Sequence, residues 1–202
     1  MIKTIIFDFG DVFINLDKLA TEKELSKLGL TSITKELEFI NESYETGNIT
    51  TTEFINYYRK LLPNTSEKQL IDVWNAILKD FPKHRLEFIQ KLAIEKKYQL
   101  ILLSNTNELH IDWIKENISF YYDFKSCFDA FYLSHEINLR KPNQDIFKFV
   151  LDNHRITPSE TIFIDDTFAN TNAAKQLGIN VWNNNPKIED ITKLFSIKSN
   201  LF

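Results

Sequence analysis

The sequence predicts an α/β protein, a doubly wound parallel sheet interrupted after its first strand by an all-α helical bundle. Short apolar runs at residues 4–9, 98–103, 128–133, 161–164 and 179–182 are each about one strand long. Most are apolar at consecutive rather than alternate positions, the pattern of strands covered on both faces. Helical stretches separate the later runs, whereas residues 15–95 hold no convincing strand. Strand, helix and strand in succession imply parallel pairing with crossover helices.

In the helical block, residues 18–28 run to Gly29 and residues 33–45 to Gly47, each glycine a ready terminator. Thr50 with Glu53, and Asn64 with Glu67, read as capping pairs ahead of helices over 54–61 and 69–78. Leu70, Val73, Trp74, Ile77 and Leu78 recur at helical spacing, so Trp74, Tyr57 and Tyr58 read as bundle core. Further on, Pro82 opens a helix through Phe88 and Leu92, and Pro142 opens one through Ile146 and Val150. A short helix over 170–177 ends at Gly178. The expected division is a core of residues 1–14 and 96–202 with a helical cap over 15–95.

Composition narrows the function. The chain has 202 residues, 43% hydrophobic and 13% aromatic, enough to bury a sizeable core. Its formal charge of −4 lacks the basic field that nucleic acid or an anionic membrane selects. Asp8 and Asp11 interrupt the apolar start before it reaches signal-peptide length, and no run approaches a membrane span. One cysteine, Cys127, makes no internal disulfide and reads as a small buried hydrophobe in a cytoplasmic protein. His84, His110, His135 and His154 show no metal-ligand spacing and read as structural, with His135 nearest the chemistry.

Ligands of open α/β sheets bind at the carboxyl ends of the strands. Those ends carry Asp8 and Asp11, then Ser104-Asn105-Thr106-Asn107, then Arg140-Lys141-Pro142, then Asp165-Asp166. Carboxylates at two strand ends suit Mg²⁺, which prefers oxygen ligands. A hydroxyl, backbone amides and a lysine suit a phosphate. The combination points to phosphoryl chemistry with an aspartate nucleophile. Taken singly, each element has a plainer reading: Asp8 as a turn cap, Ser104-Asn105 as a turn, Lys141 and the paired acids as solvated groups.

Phe7-Asp8-Phe9-Gly10-Asp11-Val12, Leu103-Ser104-Asn105-Thr106-Asn107, Leu139-Arg140-Lys141-Pro142 and Phe163-Ile164-Asp165-Asp166, in that order, resemble the four motifs of the haloacid dehalogenase (HAD) superfamily. The resemblance covers the whole chain and is strongest to the small phosphatases that act on sugar phosphates such as glucose 1-phosphate. It implies a Rossmann-like core with a helical cap, and a Mg²⁺-dependent phosphatase of small phosphorylated metabolites working through an aspartyl phosphate, as a monomer or homodimer. By the same resemblance Asp8 is the nucleophile and a metal ligand, and Gly10 gives the metal a backbone carbonyl. Ser104 and the Asn105 amide hold the phosphate, Lys141 neutralises nucleophile and phosphate, and Asp166 binds the metal with Asp165 beside it. Asn170 falls where related sequences carry a polar residue.

Gly10 departs from the usual pattern, in which a second aspartate two residues after the nucleophile protonates the leaving oxygen. General acid–base help is typically worth about 10²–10⁴-fold. Asp11 is one residue further on and is expected to point to the other side. An anomeric oxygen leaves more readily than an ordinary alcohol, so the glycine favours sugar 1-phosphates over 6-phosphates. Gly10 also keeps two rivals open: a catalytically weak relative that binds a phosphorylated ligand or a partner, and a dehalogenase-type hydrolase. The paired acids Asp165 and Asp166 weigh against the second, because dehalogenases need no Mg²⁺.

Overall fold

Thr4–Phe7 (β1), Gln99–Ser104 (β2), Ala130–Leu133 (β3), Thr161–Asp165 (β4) and Asn180–Asn183 (β5) form one parallel sheet in the order β3-β2-β1-β4-β5. The computed structural model describes Met1–Phe202. All five expected strands are present, and their alternate side chains feed two layers. Ile5, Phe7, Leu100, Leu102, Ile162 and Ile164 face one layer, while Ile6, Ile101, Leu103 and Phe163 face the other. Burial on both faces is why these runs are continuously apolar.

Register places the chemistry. Phe7 lies beside Leu102 on one side and Ile164 on the other, so β1, β2 and β4 end together. The chain builds outward from β1 through β2 to β3, then crosses back over to β4 and β5 on the other side of β1. This reversal of strand order opens a crevice at the carboxyl ends. Asp8, Ser104 and Asp165 stand at its rim.

After β1 come Ala20–Lys27 (α1), Lys35–Glu45 (α2), Thr51–Leu61 (α3) and Glu67–Asn75 (α4). They pack Leu25, Leu37, Tyr44, Phe54, Tyr58 and Leu70 into a separate apolar cluster, with Trp74 and Tyr57 against it, as bundle core was expected to do. Thr50 and Glu53 form the expected capping box. Asn64 does not cap α4. Ser66 does, with Gln69 as its reciprocal partner, because the helix starts two residues later than the Asn64 pairing requires. Gly29 and Gly47 take positive φ beyond their helices, as expected.

Lys83–Glu95 (α5) follows Pro82, and it changes the expected boundary. The cap was expected to run to residue 95, but Leu86, Ile89 and Leu92 pack in the sheet-face layer with Ile5, Phe7 and Leu100. Arg85 fixes the same attachment, donating to Asp190 at 2.9 Å and to the Phe13 carbonyl at 3.2 Å. The two crossing segments pair with each other instead. Asn15 N donates to Asp80 O at 2.9 Å, Lys79 N to Asn15 O at 3.0 Å, and Asp17 N to Ile77 O at 2.8 Å. An amphipathic helix looks the same from sequence whether its stripe meets a cap or a sheet.

Glu108–Asn117 (α6) and Tyr121–Lys125 (α7) follow β2, and Ser134–Ile137 (α8) and Gln144–His154 (α9) follow β3. Phe168–Gln176 (α10) follows β4 and Leu194–Ile197 (α11) ends the chain. α9 and α10 cover one face; α5, α6, α7 and α11 cover the other. Leu109 of α6 reaches into the cap cluster, so this helix seats the cap.

Candidate active site

The turn after β1 is set by its own backbone. Phe13 N and Ile14 N donate to Phe9 O at 2.9 and 3.2 Å, and Asp11 N donates to Ile14 O at 2.7 Å. Phe9 stacks on Phe124 at 5.1 Å and Phe13 meets the same ring edge-on at 4.9 Å, which anchors the turn from below. Asp8 is thereby presented at the strand end, 8% exposed.

Lys141 is the centre of the arrangement. Its side chain is fully buried, with Nζ 2.8 Å from Asp8 Oδ1 and 2.7 Å from Asp165 Oδ2. Asn170 Nδ2 donates to the same Asp165 oxygen at 2.9 Å, and Thr167 N donates to Asp165 Oδ1 at 2.7 Å. Both Asp165 oxygens are therefore engaged by protein donors, and the residue acts on Lys141 rather than on the open cavity. Asn105 binds the Lys141 backbone twice, accepting from N at 2.9 Å and donating to O at 2.8 Å. That pair locks the ends of β2 and of the loop before α9 together.

Asp8, Gly10, Ser104, Asn105, Lys141 and Asp166 all line one cavity of about 370 Å³. Ser104 Oγ makes only a long 3.4 Å contact with Asn105 O, which leaves the hydroxyl available to a ligand. With its side chain spent on Lys141, Asn105 has its backbone amide left for a phosphate. Asp11 does not line this cavity. It sits at φ 53°, a region that aspartate tolerates better than most residues, and its Oδ1 accepts from Leu16 N at 2.9 Å.

Charge balance bears on whether a metal fits. Burial raises the Asp8 carboxyl to about 7, although the Lys141 ammonium works to lower it. Burial also raises Asp166, against the opposing Lys18. For Lys141, burial works downward but Asp165 and Asp8 outweigh it and hold the ammonium above its ordinary value. Asp8, Asp165 and Asp166 bring carboxylate oxygens within 4.8 Å of one another, and the two that face the cavity, Asp8 and Asp166, offer the oxygen donors that suit a hard divalent cation.

Lys18, Ser134 and Asn138 were not picked out from the sequence, and Arg140 and His110 were named there without the partners they take. Lys18, in the segment entering the cap, pairs with Asp166 and, at 3.2 Å, with Asp11 Oδ2. Arg140 of the core clamps the cap, its Nη1 2.8 Å from Glu42 Oε1 and its Nη2 2.7 Å from Glu45 Oε2. Ser134 Oγ donates to Glu45 O at 2.6 Å and Asn138 Nδ2 to Thr46 O at 2.8 Å, beside Gly47, whose absent Cβ would lie 2.1 Å from the His135 carbonyl. His110 lines the cavity and bridges core to cap, with Nε2 3.1 Å from Trp74 O and Nδ1 3.2 Å from Asn107 Nδ2. Burial lowers its pKa to about 4, so it is a neutral imidazole donating through Nε2. His135 stays off the cavity, in α8, with a buried Nδ1 lacking a partner. Cys127 is buried as expected.

A parallel sheet with an inserted helical cap, and acids, lysine and hydroxyl gathered at its carboxyl edge, define a capped α/β hydrolase. The chain belongs to the haloacid dehalogenase-like hydrolase family, whose model matches residues 2–178. It is 30% identical over 190 residues to a D-ribitol-5-phosphate phosphatase of Bacteroides thetaiotaomicron, spanning 88% of this chain and 89% of that one. It also resembles a solved HAD family enzyme from the same organism, a magnesium complex, at TM-score 0.85 and 36% identity over 96% of this chain and 98% of that one. A HAD-like hydrolase structure from Porphyromonas gingivalis superposes at TM-score 0.79 with 28% identity, over 96% and 98% of the two chains.

Proposed function

We propose that the protein is a Mg²⁺-dependent phosphomonoesterase acting on a small phosphorylated polyol or sugar through an aspartyl phosphate on Asp8. The observation that carries this is the buried Lys141 ammonium between Asp8 and Asp165, opening on the same cavity as Ser104. In this reading Asp8, Asp166 and the Gly10 carbonyl hold the metal, with Asp165 contributing charge from behind. When bound, Mg²⁺ supplies charge neutralisation for the phosphoryl group and its approach to a carboxylate. Lys141 holds Asp8 in place and offsets the charge of nucleophile and phosphate. Ser104 Oγ and the Asn105 amide fix the phosphoryl oxygens, so positioning and electrostatics carry most of the rate. Glu45 of the cap, with Leu16, Ile77 and Leu78 of the two crossing segments, closes the cavity over the leaving group. The buried lone thiol suits a cytoplasmic setting, and no helix is long and apolar enough to cross a membrane.

The ribitol phosphatase relative is named for a primary alcohol ester, so that ester class stands beside the sugar 1-phosphates that Gly10 favours. The three-carboxylate cluster weighs against a dehalogenase, which needs no such cation site. The test is phosphate release from a panel of polyol phosphates and of sugar 1- and 6-phosphates, with Mg²⁺ and with chelator, alongside Asp8→Asn. Mg²⁺-dependent release that the variant loses is the expected result. No release from any member, with Mg²⁺ bound, would favour a binding protein.

A further inference from the structure

We propose that Lys18 is a built-in counter-cation of the acidic pocket, competing with the divalent metal for the Asp166 carboxylate and so weakening its binding. The inference rests on the metal site of the preceding reading. Asp166 takes part in two arrangements at once. It belongs to the trio of carboxylates that lie within 4.8 Å of one another, and it is paired with the Lys18 ammonium. An ammonium and a metal ion on one carboxylate repel each other, so occupancy by one opposes the other.

The surroundings are arranged to aim Lys18 there. Asp11 Oδ1 is tied to Leu16 N at 2.9 Å, and Asn184 Nδ2 donates to the Asp11 carbonyl at 3.1 Å. Held in this way, Asp11 turns Oδ2 toward Lys18 Nζ at 3.2 Å. Asp11, unable to replace the acid missing at Gly10, thus has a part as the holder of Lys18. Asp8, Asp11, Asp165 and Asp166 meet two lysines, Lys18 and Lys141, which differ in how tightly they are held. Lys141 cannot leave, since its side chain is fully enclosed. Lys18 is 50% exposed on a flexible stem and withdraws into water with little loss.

Mg²⁺ alone, titrated calorimetrically into the intact protein, tests this with Lys18→Met, Lys18→Arg and Asp166→Asn. Removing a partly exposed competing ion pair tightens Mg²⁺ binding by about three- to tenfold in Lys18→Met. Lys18→Arg keeps the charge and stays within about twofold of the wild type on the same scale. Thermal unfolding gives a second readout: metal-free Lys18→Met melts below the metal-free wild type, and Mg²⁺ raises its Tm by more. Equal or weaker Mg²⁺ binding by Lys18→Met overturns the proposal, as does Lys18→Arg behaving like Lys18→Met. Wild-type binding that Asp166→Asn leaves intact would sink the metal site itself, as would no binding at all, and the proposal with it.

Discussion

Two lysines meet the aspartates at the same edge of the sheet, and they are held in opposite ways. Lys141 is sealed between Asp8 and Asp165 with no exposed side-chain surface, and Asp165 is itself saturated by Asn170 and Thr167. Lys18 reaches in from the cap linker, half in water, toward Asp11 and Asp166. The first arrangement fixes a charge beside the proposed nucleophile. The second places a charge where it can be exchanged. Burial and saturation of the partners, rather than the lysine itself, make the difference.

Lys141→Met breaks the comparison at its strongest point. It leaves Asp8 and Asp165 buried without their cation, a loss of about 3–5 kcal/mol of stability by urea unfolding. Phosphate release falls by about 10²–10³-fold in the same variant. Lys18→Met loses less than about 1 kcal/mol, as exposed pairs do. Similar losses in the two variants would erase the distinction between a sealed and an exchangeable lysine.

A smaller effect sharpens the contrast between the core and its cap. His110 is neutral in the folded protein, with its pKa lowered to about 4 by burial. In the unfolded chain it takes up a proton below about 6.5, so the unfolded state binds more protons in that window. Stability therefore falls as pH drops from about 6.5 toward 4, by at most about 3 kcal/mol, and this group adds no pH dependence above 6.5. Unfolding followed against pH in wild type and His110→Gln checks it. The variant has the flatter profile, and parallel profiles would remove His110 as the neutral bridge to the cap.

The sheet was legible because strands buried on both faces must be apolar at every position. Three of the four motifs fall at ends of β1, β2 and β4 that register brings level; the Lys141 motif lies beyond α8, in the loop before α9. Capping was legible where the pair is reciprocal, as at Thr50 and Glu53. It misled at Asn64, because Ser66 offers the same chemistry two residues on. α6 was missed although Asn107 caps it and Ile111 and Ile114 mark its inner face. The allegiance of α5 was not legible, since its stripe carries no record of what it meets. Lys18 and Arg140 were hidden for a related reason. Asp166 lies 148 positions from Lys18, and Glu45 lies 95 from Arg140. Only the folded chain says which charges become neighbours.

Asp8 is the group proposed to carry the phosphoryl moiety during turnover. Rapid acid quench of the protein with Mg²⁺ and a turned-over phosphate ester, followed by peptide mass analysis, tests this most directly. The expected result is one phosphoryl group on the peptide containing Asp8, absent in Asp8→Asn and without Mg²⁺. Phosphate release with Asp8 unmodified throughout, or label on another residue, would contradict it.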